Sequence, residues 1–222
     1  MTRVSLVVVR WAARMMIALG AAQPETAAGA DGPAGRAGRD TLSVLIVTEG
    51  NPFLNKAIAA TPDVAVRTIT PKDYRADRVV ADVTVFDRHV PTELPKRGGL
   101  LFVDCLPKGG ALKAVMDEKG AEVMLTNVRA TGKVADHPAV RGIVPKKVYV
   151  ETVRMVDAGK GWGTLIDGDR GPLVLGSDAG RREIVVTFDL AKSNWPLQAS
   201  FPVFVRQAIE YLGTAGAVPE GL

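Results

Sequence analysis

Apolar residues fall along this chain in two textures, short continuous runs and stripes at spacings of three and four, and their order predicts the fold. The clearest pair lies near the end. Ile184 to Phe188 is a β-branched and apolar run, too short for a globular helix and bounded by polar residues, so it predicts a strand buried on both faces. After the connector Asp189 to Trp195, residues Leu197, Phe201, Phe204, Val205, Ala208, Ile209 and Leu212 recur along one helical stripe. That stripe needs a sheet to lie on.

The rest of the chain supplies it. Leu42 to Thr48 predicts a strand that runs through the turn Glu49 to Pro52 into a helix marked by Phe53, Leu54, Ala57 and Ile58, which Thr61-Pro62 stops. Val64 to Ile69 alternates in part, as a strand near a sheet edge does. Thr70 to Ala76 reads as a turn with a short helical piece, and Ala81 to Phe86 and Gly98 to Val103 as two further strands. Leu112, Val115 and Met116 predict a helix over Lys108 to Lys119, ending at Gly120, with a short strand at Glu122 to Leu125. From Val148 onward, short alternating runs separated by Asp-Gly-type turns predict antiparallel strands. The expectation is an α/β fold, a mostly parallel, doubly wound sheet with helices on both faces and antiparallel strands appended. It occupies residues 42–213, with a tail at 214–222.

Composition changes little in this picture. The chain has 222 residues and 47% hydrophobic content, ordinary for a packed core. Its charge of +4 owes something to residues 1–40, where five arginines face three acids; the remainder holds 23 basic and 21 acidic residues, a charge of +2. Those charges are spread and interleaved, with no phosphate-tracking stripe and no base-stacking platform, which argues against a nucleic-acid partner. One cysteine, Cys105, rules out an internal disulfide and a cysteine-based metal site. Residues 1–22 have the outline of a weak signal or membrane-like segment, but Arg10 and Arg14 interrupt it, and an arginine at the centre of a spanning helix costs about 2.5–3.5 kcal/mol. Residues 23–41 are rich in Gly, Pro and Ala and read as a flexible linker.

Candidate chemistry sits where the parallel strands end, because ligands of open α/β sheets bind beyond their carboxyl ends. Those loops carry Glu49, Gly50, Asn51, Asp87, His89 and Asp104. The first precedes a helix, whose free N–H groups can hold an anion, yet neither a GxGxxG run nor a P-loop occurs in the sequence. Cys105 follows a strand, as nucleophilic cysteines do, and His89 or His137 are the available bases; but Asp104 raises a thiol pKa, and no small-residue elbow surrounds the position. His137 lies in a turn, ADHPAVRG, and two histidines with scattered carboxylates give no metal-ligand spacing. Asp189 reads as a cap for the connector, and Ser177 and Ser193 lack a nucleophile context. The expectation is a domain without catalytic residues, cofactor or metal.

LIVTEGNPFLNKAI at 45–58, DVTVFDRHVP at 82–91, DHPAVRGI at 136–143, PLVLGSD at 172–178 and the FDL, Pro196-Leu197 and Phe201-Pro202 series together resemble the C-terminal region of bacterial BatA-like, von Willebrand factor A domain-containing membrane proteins. That region is similar to class I glutamine amidotransferases. The resemblance spans about residues 42–212 and implies a flavodoxin-like sandwich, a place in the bacterial cell envelope, and von Willebrand A or MoxR-type ATPase partners. It leaves a cytoplasmic location open and implies no catalytic residue. The function expected from it is a non-catalytic scaffold or interaction domain; a Cys105-dependent amidotransferase or hydrolase and a small-ligand or anion sensor are the alternatives.

Overall fold

The computed structural model describes residues 41–214. The expected membrane-like segment at 1–22, the linker up to residue 40 and the tail from residue 215 lie outside the described residues. Within them, nine strands form one sheet. Five run parallel in the order β2-β1-β3-β4-β11, where β1 is Leu42–Val47, β2 Val64–Ile69, β3 Val83–Asp87, β4 Gly99–Val103 and β11 Glu183–Val186. The sheet then continues antiparallel through β10 (Pro172–Ser177), β9 (Trp162–Gly168), β6 (Met124–Val134) and β7 (Tyr149–Arg154). Two short strands, β5 (Leu112–Ala114) and β8 (Val156–Ala158), pair separately.

The expected mostly parallel sheet is therefore corrected to a mixed one, parallel in one half and antiparallel in the other. The antiparallel half also curls. Among the described residues no strand lies beyond β7; its outer edge meets the segment leaving β11, through Arg154 N–H to the Thr187 carbonyl (2.9 Å), a bridge between Val150 and Ser193, and paired bonds between Tyr149 and Asn194. Among the described residues β2 is left as the free margin of the sheet.

The expected helices on both faces are corrected too: the two α-helices among the described residues lie on one face. α1 (Pro52–Ala59) buries Leu54, Ala57 and Ile58, and α2 (Ser200–Gly213) buries Phe201, Phe204, Val205, Ala208, Ile209 and Leu212, in one core with Val44, Ile46, Val83, Leu101 and Ile184. The opposite side chains, Leu45, Val47, Phe86, Leu100, Phe102 and Val185, are covered by loops and single 3-10 turns that bring Tyr74, Val79, Cys105 and Leu112 onto them. The connection from β2 to β3 is two such turns, Pro71–Asp73 and Ala76–Arg78, too short to form a crossover helix.

Three local expectations also change. Lys108 to Lys119 is not helical. Gly109 takes φ +73, Leu112 enters β5, and the Asp117 carboxylate accepts the N–H of Lys119 and Ala121 to build a turn ending at Gly120, φ +77. Only Leu112 of the three apolar residues is buried, so the spacing marked no stripe. The strand expected at Glu122 to Leu125 is the start of an eleven-residue one, whose Val128 and Ala130 face the core. Leu197, assigned to the last helix's apolar stripe, precedes α2 and is 81% exposed.

A candidate site at the carboxyl ends of the parallel strands

β1 and β3 are neighbours from which the chain winds in opposite directions, to β2 on one side and β4 on the other, so the gap beyond their carboxyl ends is where such a sheet opens a crevice. Here that gap is filled from inside. Asp87, the last residue of β3, is 2% exposed; its Oδ2 accepts the hydroxyl of Thr48 at 2.6 Å, and its Oδ1 accepts the Asn51 side-chain amide at 2.9 Å. Arg88 turns back with φ +51, and its guanidinium donates to Asp87 Oδ2 at 3.2 Å and to the Gly50 carbonyl at 2.7 Å. Thr48 Oγ1 in turn accepts the Gly50 N–H at 2.9 Å. The β1–α1 loop is thereby stitched to the end of β3.

The Asn51 cap also narrows the set of free donors at the start of α1. Pro52 has no N–H, that of Leu54 is taken by Asn51 Oδ1 at 3.1 Å, and that of Asn55 by the Asn51 carbonyl. Glu49 and Gly50 are exposed beside this cap, whereas Asn51 is buried within it.

One strand further along, Asp104 leaves β4 with φ +51. Its Oδ1 accepts Arg154 from β7 at 3.3 Å, and the same guanidinium pairs with Glu122 at 2.6 Å. Burial pushes the Asp104 carboxyl above its ordinary range; Arg154 opposes that and the nearby Asp189 adds to it. Asp189 Oδ1 accepts the Ala191 N–H at 3.0 Å, the cap expected of it. Ser193 donates to the Leu190 carbonyl, and Ser177 accepts the Ala179 N–H.

Cys105 is 4% exposed, and its thiol donates to the Phe86 carbonyl at 3.4 Å. Burial, above all, pushes its pKa up to about 12, so the thiolate that nucleophilic attack requires is scarce at neutral pH. His89 lies half-buried near the rings of Tyr74 and Phe86, with Glu49 and Lys108 as its charged neighbours, at this same end of the sheet. His137 is at the other end. Its ring packs edge-on against Tyr211 at 4.5 Å, its Nδ1 accepts the Ala139 N–H at 3.2 Å, and its charged neighbours Asp178 and Arg182 precede β11. The structure thus brings Glu49, Gly50, Asn51, Asp87, His89, Asp104 and Cys105 to one end and leaves His137 apart. Among the described residues no group of three or more His, Cys, Asp or Glu is placed to hold a metal ion.

Sequence reasoning missed Thr48, Glu122 and Arg154 as members of this cluster, and it placed Arg88 in the Asp87 to His89 loop without giving it a partner. Arg88 stood beside Asp87 and could have been weighed with it. Arg154 lies fifty residues from Asp104, on a strand whose position in the sheet no local pattern encodes.

No protein-family model matches the chain, and no curated protein matches it. Solved structures do. The cytoplasmic protein STM1381 from Salmonella typhimurium LT2 superposes with a TM-score of 0.59 at 9% identity, over 77% of this chain and 99% of that one. The cytoplasmic protein STM3548 from Salmonella typhimurium does so with a TM-score of 0.55 at 9% identity, over 77% and 98%. A protein described as a putative GMP synthase subunit from Thermoplasma acidophilum reaches 0.48 at 9% identity, over 77% and 96%. The first two likenesses show the fold alone, an α/β fold with a large mixed sheet and few helices.

Proposed function

We propose that residues 42–213 form a non-catalytic interaction domain of the kind found in BatA-like, von Willebrand factor A-associated envelope proteins, built on a flavodoxin-like, class I glutamine amidotransferase-like frame. The parallel half supports the frame: its order, β2-β1-β3-β4-β11, corresponds to the doubly wound order 2-1-3-4-5. One observation carries the non-catalytic reading. The crevice that this topology opens for a ligand is occupied by Asp87 and its three side-chain partners, Thr48, Asn51 and Arg88, so these polar groups already satisfy one another. Cys105, the one candidate nucleophile, lies beneath the surface with its thiol protonated.

Iodoacetamide at neutral pH should leave Cys105 unmodified in the folded chain and alkylate it in denaturant, and Cys105→Ala should bind the same partners as the parent. Rapid alkylation of the folded protein, together with a turnover abolished by Cys105→Ala, would establish the amidotransferase or hydrolase alternative instead. The envelope location rests on residues 1–22 and on the sequence resemblance; among the described residues no helix is long and apolar enough to cross a membrane. An alkaline phosphatase reporter fused after Asp40 is expected to be active, and an inactive one places the domain in the cytoplasm.

A further inference from the structure

We infer that the free edge of β2, with the groove beside it, docks an extended segment of a partner protein that alternates apolar and acidic side chains, added to the sheet as another strand. The inference deepens the interaction-domain reading and rests on it. In the parallel pairing with β1, the carbonyls of Asp63 and Ile69 accept from Leu42 and Thr48, so odd-numbered residues turn their peptide groups inward. Val64, Val66 and Thr68 consequently turn N–H and C=O groups outward, along an edge that no described strand covers.

Natural edges of this kind are commonly blunted by proline, charged side chains, a bulge or a covering helix. Of these β2 carries only one charge, Arg67. It holds an unbroken six-residue register with β1, and Ala65 to Thr68 are all exposed. Where a doubly wound sheet would place a crossover helix, the two 3-10 turns between β2 and β3 leave a groove of about 320 Å³. Its walls include Ala65, Val66, Val80 and Ala81, with Val80 73% exposed, and its charged lining is Arg67 and Arg78 without a carboxylate.

That lining chooses the occupant. A strand added at this edge gains its main-chain bonds from Val64, Val66 and Thr68, and its side chains meet apolar walls and two cations, so valine-like residues alternating with glutamate or aspartate complement it. A second copy of this chain fits less well. Antiparallel pairing of two β2 edges about a two-fold axis sets both copies' Arg67 and Arg78 on one face of the combined sheet, with no acid lining either groove.

The test uses the full chain and a short fluorescein-labelled peptide alternating valine and glutamate, with a valine–lysine peptide as its counterpart. Fluorescence polarisation should show the glutamate peptide binding at least about ten-fold more tightly than the lysine one at low salt. Hydrogen exchange should slow at Val64, Val66 and Thr68 on binding. Val66→Pro removes a central outward donor and should abolish binding, while the paired reversal Arg67→Glu with Arg78→Glu, which alters only exposed side chains, should invert the preference. The inference is overturned by equal binding of both peptides, by binding indifferent to the arginine reversal, by protection elsewhere, or by a dimer that buries the β2 amides. Those failures leave the non-catalytic reading standing, since that reading falls on the reactivity of Cys105, which neither variant touches.

Discussion

A carboxylate withdrawn from water as fully as Asp87, at 2% exposure, has to find its solvation inside the protein, and it does so through Thr48, Asn51 and Arg88. Removing the acceptor leaves those donors facing one another. Asp87→Ala is expected to cost about 3 kcal/mol, and Thr48→Val about 1 kcal/mol, which denaturant titration with an unchanged m-value would register. A pH effect belongs to His137. Burial, first of all, lowers its imidazole below the ordinary range, with Asp178 opposing and Arg182 reinforcing. The unfolded chain then binds this proton more readily, so the associated stability is present above pH ~6.5 and is lost as pH falls from there through the lower folded value. His137→Asn keeps an oxygen to accept the Ala139 N–H and removes the titration; thermal melts between pH ~7.5 and ~5.5 should flatten relative to the parent. At this scale the sequence exposed acceptors better than their donors. Asn51 before Pro52 announces a helix cap, and Asp87 after a strand announces a polar end, but their meeting depends on β1 and β3 lying side by side.

Among the elements, β11 and α2 were the most legible because both express one periodicity strongly and neither depends on a distant partner to reveal it. Their packing was not legible. Gly99 opens β4 directly under the end of α2, and a Cβ there would stand 2.6 Å from the Leu212 carbonyl oxygen and 2.9 Å from its Cα. Gly99→Ala should therefore lift the helix end, costing about 1–3 kcal/mol by denaturant titration, more than a strand-interior glycine ordinarily yields in the other direction. Truncation before Pro196 removes the buried face of α2 and uncovers Val83, Leu101 and Ile184; the product should be insoluble, and a soluble, folded fragment would contradict the packing described. Lys108 to Lys119 offered three apolar residues at helical spacing, while Gly109, Gly110 and the Asp117 to Gly120 turn held the contrary information, and the turn chemistry prevailed. β6 was cut short because Thr126, Asn127 and Arg129 interrupt its apolar texture, though Val128 and Ala130 keep the alternation of a half-buried strand.

For the molecule as a whole, the parallel half and its antiparallel appendage could both be read from the order of the runs, whereas their proportion, the curl that brings β7 back to Thr187–Asn194, and the gathering of the described α-helices on one face could not. Those depend on connection lengths and on pairings far apart in the chain. The placement of β11 between β4 and β10 has a consequence in time. On the ribosome the strands up to Val103 are complete long before Glu183 is made, and at roughly 5–20 residues per second the wait is of the order of ten seconds. Throughout that interval the inner margin of β4, with Leu101 and Phe102, lacks the strand that pairs with it in the folded chain.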